Sequence, residues 1–134
     1  LKDFIRYIDI FRISFDAGTA ETYKKVRVNG EWNTLIDNCQ YIQNPVNQLK
    51  VSTVLQSDFV VQLDNYKEIP QYIETARSLG FKTINLSRMW NWGTWPHEEF
   101  QQLNISDITH PKNNELVEIL MPYTISSDVA ISCL

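Results

Sequence analysis

The sequence of 134 residues predicts an α/β fold of about four mostly parallel strands joined by crossover helices. Three observations predict it. Segments with the period-two pattern of strands alternate along the chain with segments at helical spacing, ending on a strand. Each strand-plus-helix unit takes about 35 to 45 residues, so about four strands fit the length. Turn residues such as Asn29-Gly30, Asn44-Pro45 and Gly80 punctuate the segments. Four parallel strands make an incomplete barrel or a small open sheet, too few to close a ring of eight.

The elements follow in order. Residues 1–7 place Leu1, Phe4 and Ile5, with Ile8 just beyond, on one helical face. Residues 11–15 alternate apolar and polar side chains and read as a strand. Asp16-Ala17-Gly18-Thr19 is turn chemistry, and Thr19 is a suitable cap for a short helix over residues 20–28. Asn29-Gly30 stops that helix. A second helix over residues 31–43 carries Trp32, Leu35, Ile36, Cys39 and Ile42 on one stripe, and Asn44-Pro45 is expected to close it. Residues 49–63 are rich in β-branched and apolar side chains. The strand is clearest over 59–63, with a bulge expected near Ser57-Asp58. Residues 65–67 form a turn. Pro70 then opens a helix that runs to Leu79 and stops at Gly80. Residues 83–87 are a short strand, 98–103 one or two helical turns, 114–121 a helix ended by Pro122, and 129–134 a last strand.

Composition places the chain among folded single domains, spanning residues 1–134. Hydrophobic residues make up 43% of it, enough for a core and too many for a disordered chain. The net charge of −4 argues against a nucleic-acid partner, which needs a basic face. No apolar run approaches the ~18 residues of a membrane-spanning helix, and no charged-then-apolar leader opens the chain. The two cysteines, Cys39 and Cys133, lack the spacing of a metal or redox motif. They read as reduced thiols in a cytoplasmic setting. The chain opens at Leu1 directly within an apolar-periodic segment, so we expect it to be a piece of a longer protein.

In a parallel α/β sheet, ligands bind at the carboxyl ends of the strands. The polar residues expected there are Ser14, Asp16, Gln62, Asn65, Ser87 and the loop of residues 88–95. Ser14 and Asp16, two apart on a strand, share a face and can hydrogen-bond ribose hydroxyls. The alternative is that Asp16 and Thr19 only organise a turn and a helix start. Gln62 and Asn65 can contact a ligand amide or carboxylate, or can simply end a strand and make an Asx turn. Trp90, Trp92 and Trp95 can wall a pocket or stack on an adenine, or can cover the sheet end and contact a further domain. Arg27 can reach an anionic ligand, although a surface arginine is the commoner outcome. His97 beside Glu98 and Glu99, and His110 before Pro111, lack metal-ligand spacing. No GxGxxG, GxxxxGK[ST] or GxSxG occurs, which weakens dinucleotide, P-loop and α/β-hydrolase readings.

An ordered set of segments carries a resemblance. Ile13-Ser14-Phe15-Asp16-Ala17 is followed by Glu21-Thr22-Tyr23, Val26-Arg27 and Gly30-Glu31-Trp32. Phe59-Val60-Val61-Gln62 with Asn65 comes next, then Ile84-Asn85-Leu86 and Asn91-Trp92-Gly93-Thr94-Trp95. Glu99-Phe100, His110-Pro111 and Glu115-Leu116 complete the set. This set resembles the second half of the core of radical S-adenosylmethionine (SAM) enzymes of the SPASM or twitch type, over nearly the whole chain. The resemblance implies a partial (β/α) barrel that holds SAM across its strand ends. It implies that Ser14 serves the ribose region of SAM, with Asp16 as the neighbouring candidate. Gln62 and the end of the strand at Ile84-Asn85-Leu86 would line the same mouth. From their place at the strand ends, Asn65 is a further cofactor candidate, and Trp92 and Trp95 are candidates to border a substrate.

The departure from the family pattern is as informative. The CxxxCxxC motif that holds a four-iron, four-sulfur cluster does not occur in these residues, nor does the glycine-glycine-glutamate segment. Without the cluster no electron reaches the sulfonium and no adenosyl radical forms. The chain alone is therefore expected to be catalytically silent. Whole, such a protein would abstract hydrogen from a peptide or small molecule. A second reading is a non-enzymatic half-barrel that binds a ligand or a partner, and a third is an α/β domain related by ancestry alone. SAM affinity separates the first from the third. Open sheet edges at residues 11–15 and 129–134 predict a homo-oligomer, or pairing with a missing N-terminal half.

Overall fold

The computed structural model describes residues 2–132. Strands β1 (Ile10–Ser14), β2 (Val54–Val61), β3 (Thr83–Arg88) and β4 (Val129–Ser132) form one sheet in that order, and each neighbouring pair is parallel. Helices α1 (Lys2–Ile5), α2 (Ala20–Val26), α3 (Trp32–Leu49), α4 (Ile69–Ser78), α5 (His97–Leu103) and α6 (Asn113–Leu120) connect them, with short 3-10 turns at Tyr66–Glu68 and Met121–Tyr123. When strand order follows the chain and crossovers are right-handed, every connection passes over the same face. That is the winding of a barrel segment rather than of a doubly wound sheet.

Burial follows this winding. Along β2, Leu55, Ser57, Phe59 and Val61 are buried, while the alternate residues are only partly so. The buried row meets α3 through Leu35, Cys39 and Ile42, α4 through Ile69, Tyr72 and Ile73, and α6 through Leu116 and Leu120, all in one core. Aromatic rings fill its centre: Phe59 lies 4.6 Å from Tyr72 and Phe15 lies 5.5 Å from Phe81. Ser57 is tolerated there because the Tyr72 hydroxyl donates to its Oγ at 2.8 Å. The free Cys39 thiol is buried, and burial pushes its pKa up to about 11.

On the opposite face Val54 and Val60 flank Gln56 and Asp58, and the centre of that face is polar. Arg12 on β1 forks onto Asp58 of β2, with both contacts at 3.0 Å. Asp58 also accepts from Gln56 at 2.9 Å and from Asn85 of β3 at 3.0 Å. Ser132 of β4 donates to Asn85 at 2.8 Å, so one polar belt crosses all four strands. Burial alone would raise the Asp58 carboxyl, but its donors outweigh it and hold the pKa below the ordinary value.

Several boundaries depart from the expectations. α1 is a single turn of four residues rather than a helix over 1–7. α3 does not close at Asn44-Pro45. It runs on to Leu49 and ends where Lys50 adopts a left-handed φ of 49°. Pro45 removes one helix hydrogen bond, and its buried ring packs inward in compensation. β2 is consequently shorter than 49–63, and no bulge interrupts it, since Ile13↔Ser57 and Ser14↔Asp58 are consecutive pairs. The alternation of Gln56 and Asp58 with Leu55, Ser57 and Phe59 is the regular two-faced pattern of a strand. Strand β4 matches residues 129–132 of the expected last strand. Leu1, Cys133 and Leu134 lie outside the described residues.

α2 buries none of its residues and is held by its ends. Glu68 reaches across from the start of α4. Its Oε2 accepts from the Gly18 and Thr19 N–H groups at 2.8 and 3.0 Å. Its Oε1 accepts from the Thr19 and Thr22 hydroxyls at 2.8 and 2.6 Å. Thr19 Oγ1 in turn caps the helix at Thr22 N. Gly18 is required for this approach, because a Cβ there would lie 2.8 Å from the Glu68 carbonyl oxygen. Burial acts to raise the Glu68 carboxyl, and the four donors lower it below its ordinary 4.5. Its stabilising effect is thus full above pH 4.5 and is lost as pH falls through the lower folded value. Glu68→Gln is expected to cost about 2 kcal/mol at pH 7 and to flatten the acid limb of the stability profile. Urea melts between pH 3 and pH 7 (roughly the span over which a carboxylate titrates) check both effects. An unchanged acid limb would show that the clip contributes nothing.

Candidate cleft at the strand ends

The carboxyl ends of the strands are shaped by the turn after β1. The strand stops at Ser14, and Asp16 adopts a left-handed φ of 57°. Ser14 and Asp16 are therefore not i, i+2 neighbours on one extended strand. Ser14 is exposed on the polar sheet face opposite Asp58, outside the cleft lining. Asp16 is turned toward β2, where its Oδ1 accepts the Val60 N–H at 2.7 Å. Val60 lies beyond the last β1 pairing at Asp58, so this carboxylate supplies the acceptor that β1 no longer provides. Its Oδ2 pairs with Arg27 Nη2 at 2.5 Å.

Asn65 braces this arrangement from within. It is 1% exposed, and its amide is wholly spent on backbone. Nδ2 donates to the carbonyls of Asp16 at 3.0 Å and Val60 at 2.9 Å, and Oδ1 accepts from Gln62 N at 2.9 Å. Asn65 thereby ties the turn after β1 to the end of β2 and is not part of the cleft lining.

The cleft itself measures about 460 Å³, in the usual range for a small ligand. Asp16, Arg27, Gln62, Ser87 and Arg88 supply its polar lining, and Trp90, Trp92 and Trp95 its aromatic wall. Asn91 shapes that wall. Its Oδ1 accepts from Gly93 N at 2.9 Å and its Nδ2 donates to the Trp95 carbonyl at 2.9 Å. Gly93 has a φ of 89°, a conformation that a side chain would strain. Trp92 is 86% exposed at the rim. The Arg88 guanidinium lies over Trp90, 3.6 Å from the ring centroid. Among the described residues, the buried side-chain nitrogens without a partner are the Nε atoms of Arg27 and Arg88, both on residues of this cleft. In the sequence Arg88 is marked only as the first residue of a loop, and its position at a strand end is the signal that singles it out.

A larger cleft of about 660 Å³ lies beside Leu63, α5 and the loop at His110. His110 is engaged there. Its Nδ1 accepts from Lys112 N at 3.1 Å, which leaves Nε2–H to donate to the Gln102 carbonyl at 3.0 Å. Among the described residues no group of three His, Cys, Asp or Glu side chains could hold a metal ion. No helix among them is long and apolar enough to cross a membrane.

The arrangement suits binding: one buried carboxylate, two guanidinium groups, an amide and flat aromatic walls around one space. Asp16 stands apart energetically. Burial raises its pKa above the ordinary 3.8, and the Val60 N–H and Arg27 offset that only in part. A raised carboxyl favours the protonated fold, so its contribution is greatest below pH 3.8 and lost as pH rises through the folded value. At pH 7 that contribution is gone. Asp16→Asn keeps the acceptor for Val60, suits the left-handed backbone, and is expected to raise the thermal midpoint at pH 7. A fall in the calorimetric midpoint would show Asp16 to be structural. Comparison with known proteins attaches no family to this geometry: no family model matches the chain, and no curated protein matches it.

Proposed function

We propose that the chain is the second half of a radical SAM-type barrel and supplies the nucleoside side of a SAM site at its strand ends. The observation that carries this reading is the cleft at the strand ends of a singly wound parallel sheet, where the buried Asp16 carboxylate, Gln62, Ser87 and three tryptophans line one space. Ligands of parallel α/β sheets bind at that end. Asp16 and Gln62 would face the ribose and adenine, and Ser14 would approach from the polar sheet face. Asn65 would act by positioning Asp16 and Gln62. Trp92 and Trp95 would border the substrate.

The iron–sulfur cluster of that family does not fit the described residues. Clusters are held by cysteine thiolates, and Cys39 lies in the core with its thiol pKa pushed up to about 11. Cluster ligands would belong to residues outside the described part of this chain, and the chain alone would bind without catalysing. The buried free thiol of Cys39 also supports a reducing, cytoplasmic location.

Isothermal titration of the 134-residue chain with SAM tests the reading. Saturable binding that weakens in Ser14→Ala and Gln62→Ala is the expected result. Absence of saturable heat in a chain folded by circular dichroism would sink it.

A second reading, a stand-alone half-barrel that works by association, is favoured by the sheet edges. The outer sides of β1 and β4 pair with no other strand among the described residues, and Ile10 on β1 is 55% exposed. Unpaired parallel edges invite another chain. Self-association through β1 and β4 is expected, with the N-terminal half of a longer protein as the competing partner. Light scattering at micromolar concentration checks it, and a clean monomer would overturn it.

A further inference from the structure

The cleft at the strand ends holds more positive charge than its carboxylate uses. Asp16 is the acidic residue of its lining and is taken by Arg27. Arg88 meets no carboxylate in any ion pair among the described residues. It is nevertheless held in place, stacked on Trp90 with its Cζ 3.6 Å from the ring centroid. Stacking occupies the face of the guanidinium and leaves its edge for hydrogen bonds. Part of that edge, the Nε–H, is buried without an acceptor. A fixed planar cation with a buried unfilled donor matches the forked geometry of a carboxylate or phosphate.

We propose that Arg88 seats the oxyanion of a second ligand, a carboxylate or phosphate group carried by the substrate, with Trp90 holding the guanidinium flat. The proposal deepens the reading of this cleft as a SAM mouth and rests on it for the word substrate. Asp16 and Gln62 define one side, and Arg88 with its tryptophan wall defines the other. The site would discriminate against neutral substrates, because these leave the Nε–H donor unfilled. The larger cleft near His110 is lined by Glu98 and Asp107 and has the opposite charge character.

The test is calorimetric titration of the whole chain with inorganic phosphate at fixed ionic strength. Saturable binding is expected, weakened about tenfold or more in Arg88→Gln and less in Arg88→Lys, which keeps the charge but loses the fork. Trp90→Ala, at an exposed loop position, should also weaken it. No saturable binding, or equal affinity in a folded Arg88→Gln variant, overturns the proposal. Repeating the titration with SAM-saturated protein separates the two readings. An unchanged phosphate affinity supports a second seat. Competition between SAM and phosphate assigns the anion seat to SAM's own carboxylate and overturns it. Binding of phosphate through Arg88 in a chain that takes no SAM would remove the nucleoside reading and leave the anion seat standing.

Discussion

A parallel pair of twisted strands accepts a crossover of one hand only, and here each of three successive crossovers steps to the next strand in the same direction. Helices α3, α4 and α6 therefore gather on one face, where their apolar stripes close over Phe15, Phe59, Ile84 and Leu86. The loops that follow the strands collect on one rim for the same reason. Asp16, Gln62, Ser87 and the tryptophan loop come from three different strand ends and meet in one cleft. Their meeting needs no attraction between them. It follows from strand order, register and the length of each strand.

Three carboxylates on this frame differ in how fully they are matched. Glu68 receives two N–H and two hydroxyl donors, and Asp58 receives an arginine fork and two amides. For both, hydrogen bonding outweighs burial and the pKa falls. Asp16 has a backbone N–H and a half-exposed arginine, and burial wins. Asp16 therefore supports the turn through Val60 and Arg27, yet with too few donors to offset its burial.

Much of the frame was legible in the sequence. Alternation in 11–15 and 83–87 and the helical stripe of Trp32, Leu35, Cys39 and Ile42 reflect burial on one side, which local pattern records well. Thr19 read correctly as a cap, because capping is decided within a few residues. The continuation of α3 through Pro45 was not legible. A proline normally ends a helix, and only the packing of its ring, a tertiary fact, overrides that rule. A charge at Asp58 within an apolar strand suggests an interruption, yet the pairing there is regular. The partners of Asp58, Arg12 and Asn85, are 46 and 27 residues away, beyond any local window. At the cleft, residue types pointed to Asp16 and Gln62. The engagement of Asn65 with backbone and the stacking of Arg88 on Trp90 depend on approach angles that spacing does not encode.

The polar belt bears on what kind of barrel this sheet belongs to. The interior of a closed eight-stranded barrel is a packed core of branched apolar side chains. Arg12, Gln56, Asp58, Asn85 and Ser132 could enter such a core only with every donor and acceptor matched, since a buried unmatched polar group is costly. On this sheet they satisfy one another laterally, strand to strand, and Arg12 remains exposed. A face built that way is stable against water. It is also suited to a polar ligand reaching down from the cleft, where Ser14 already lies beside Asp58 in the register. The belt thus favours an open, incomplete barrel whose inner face stays wet.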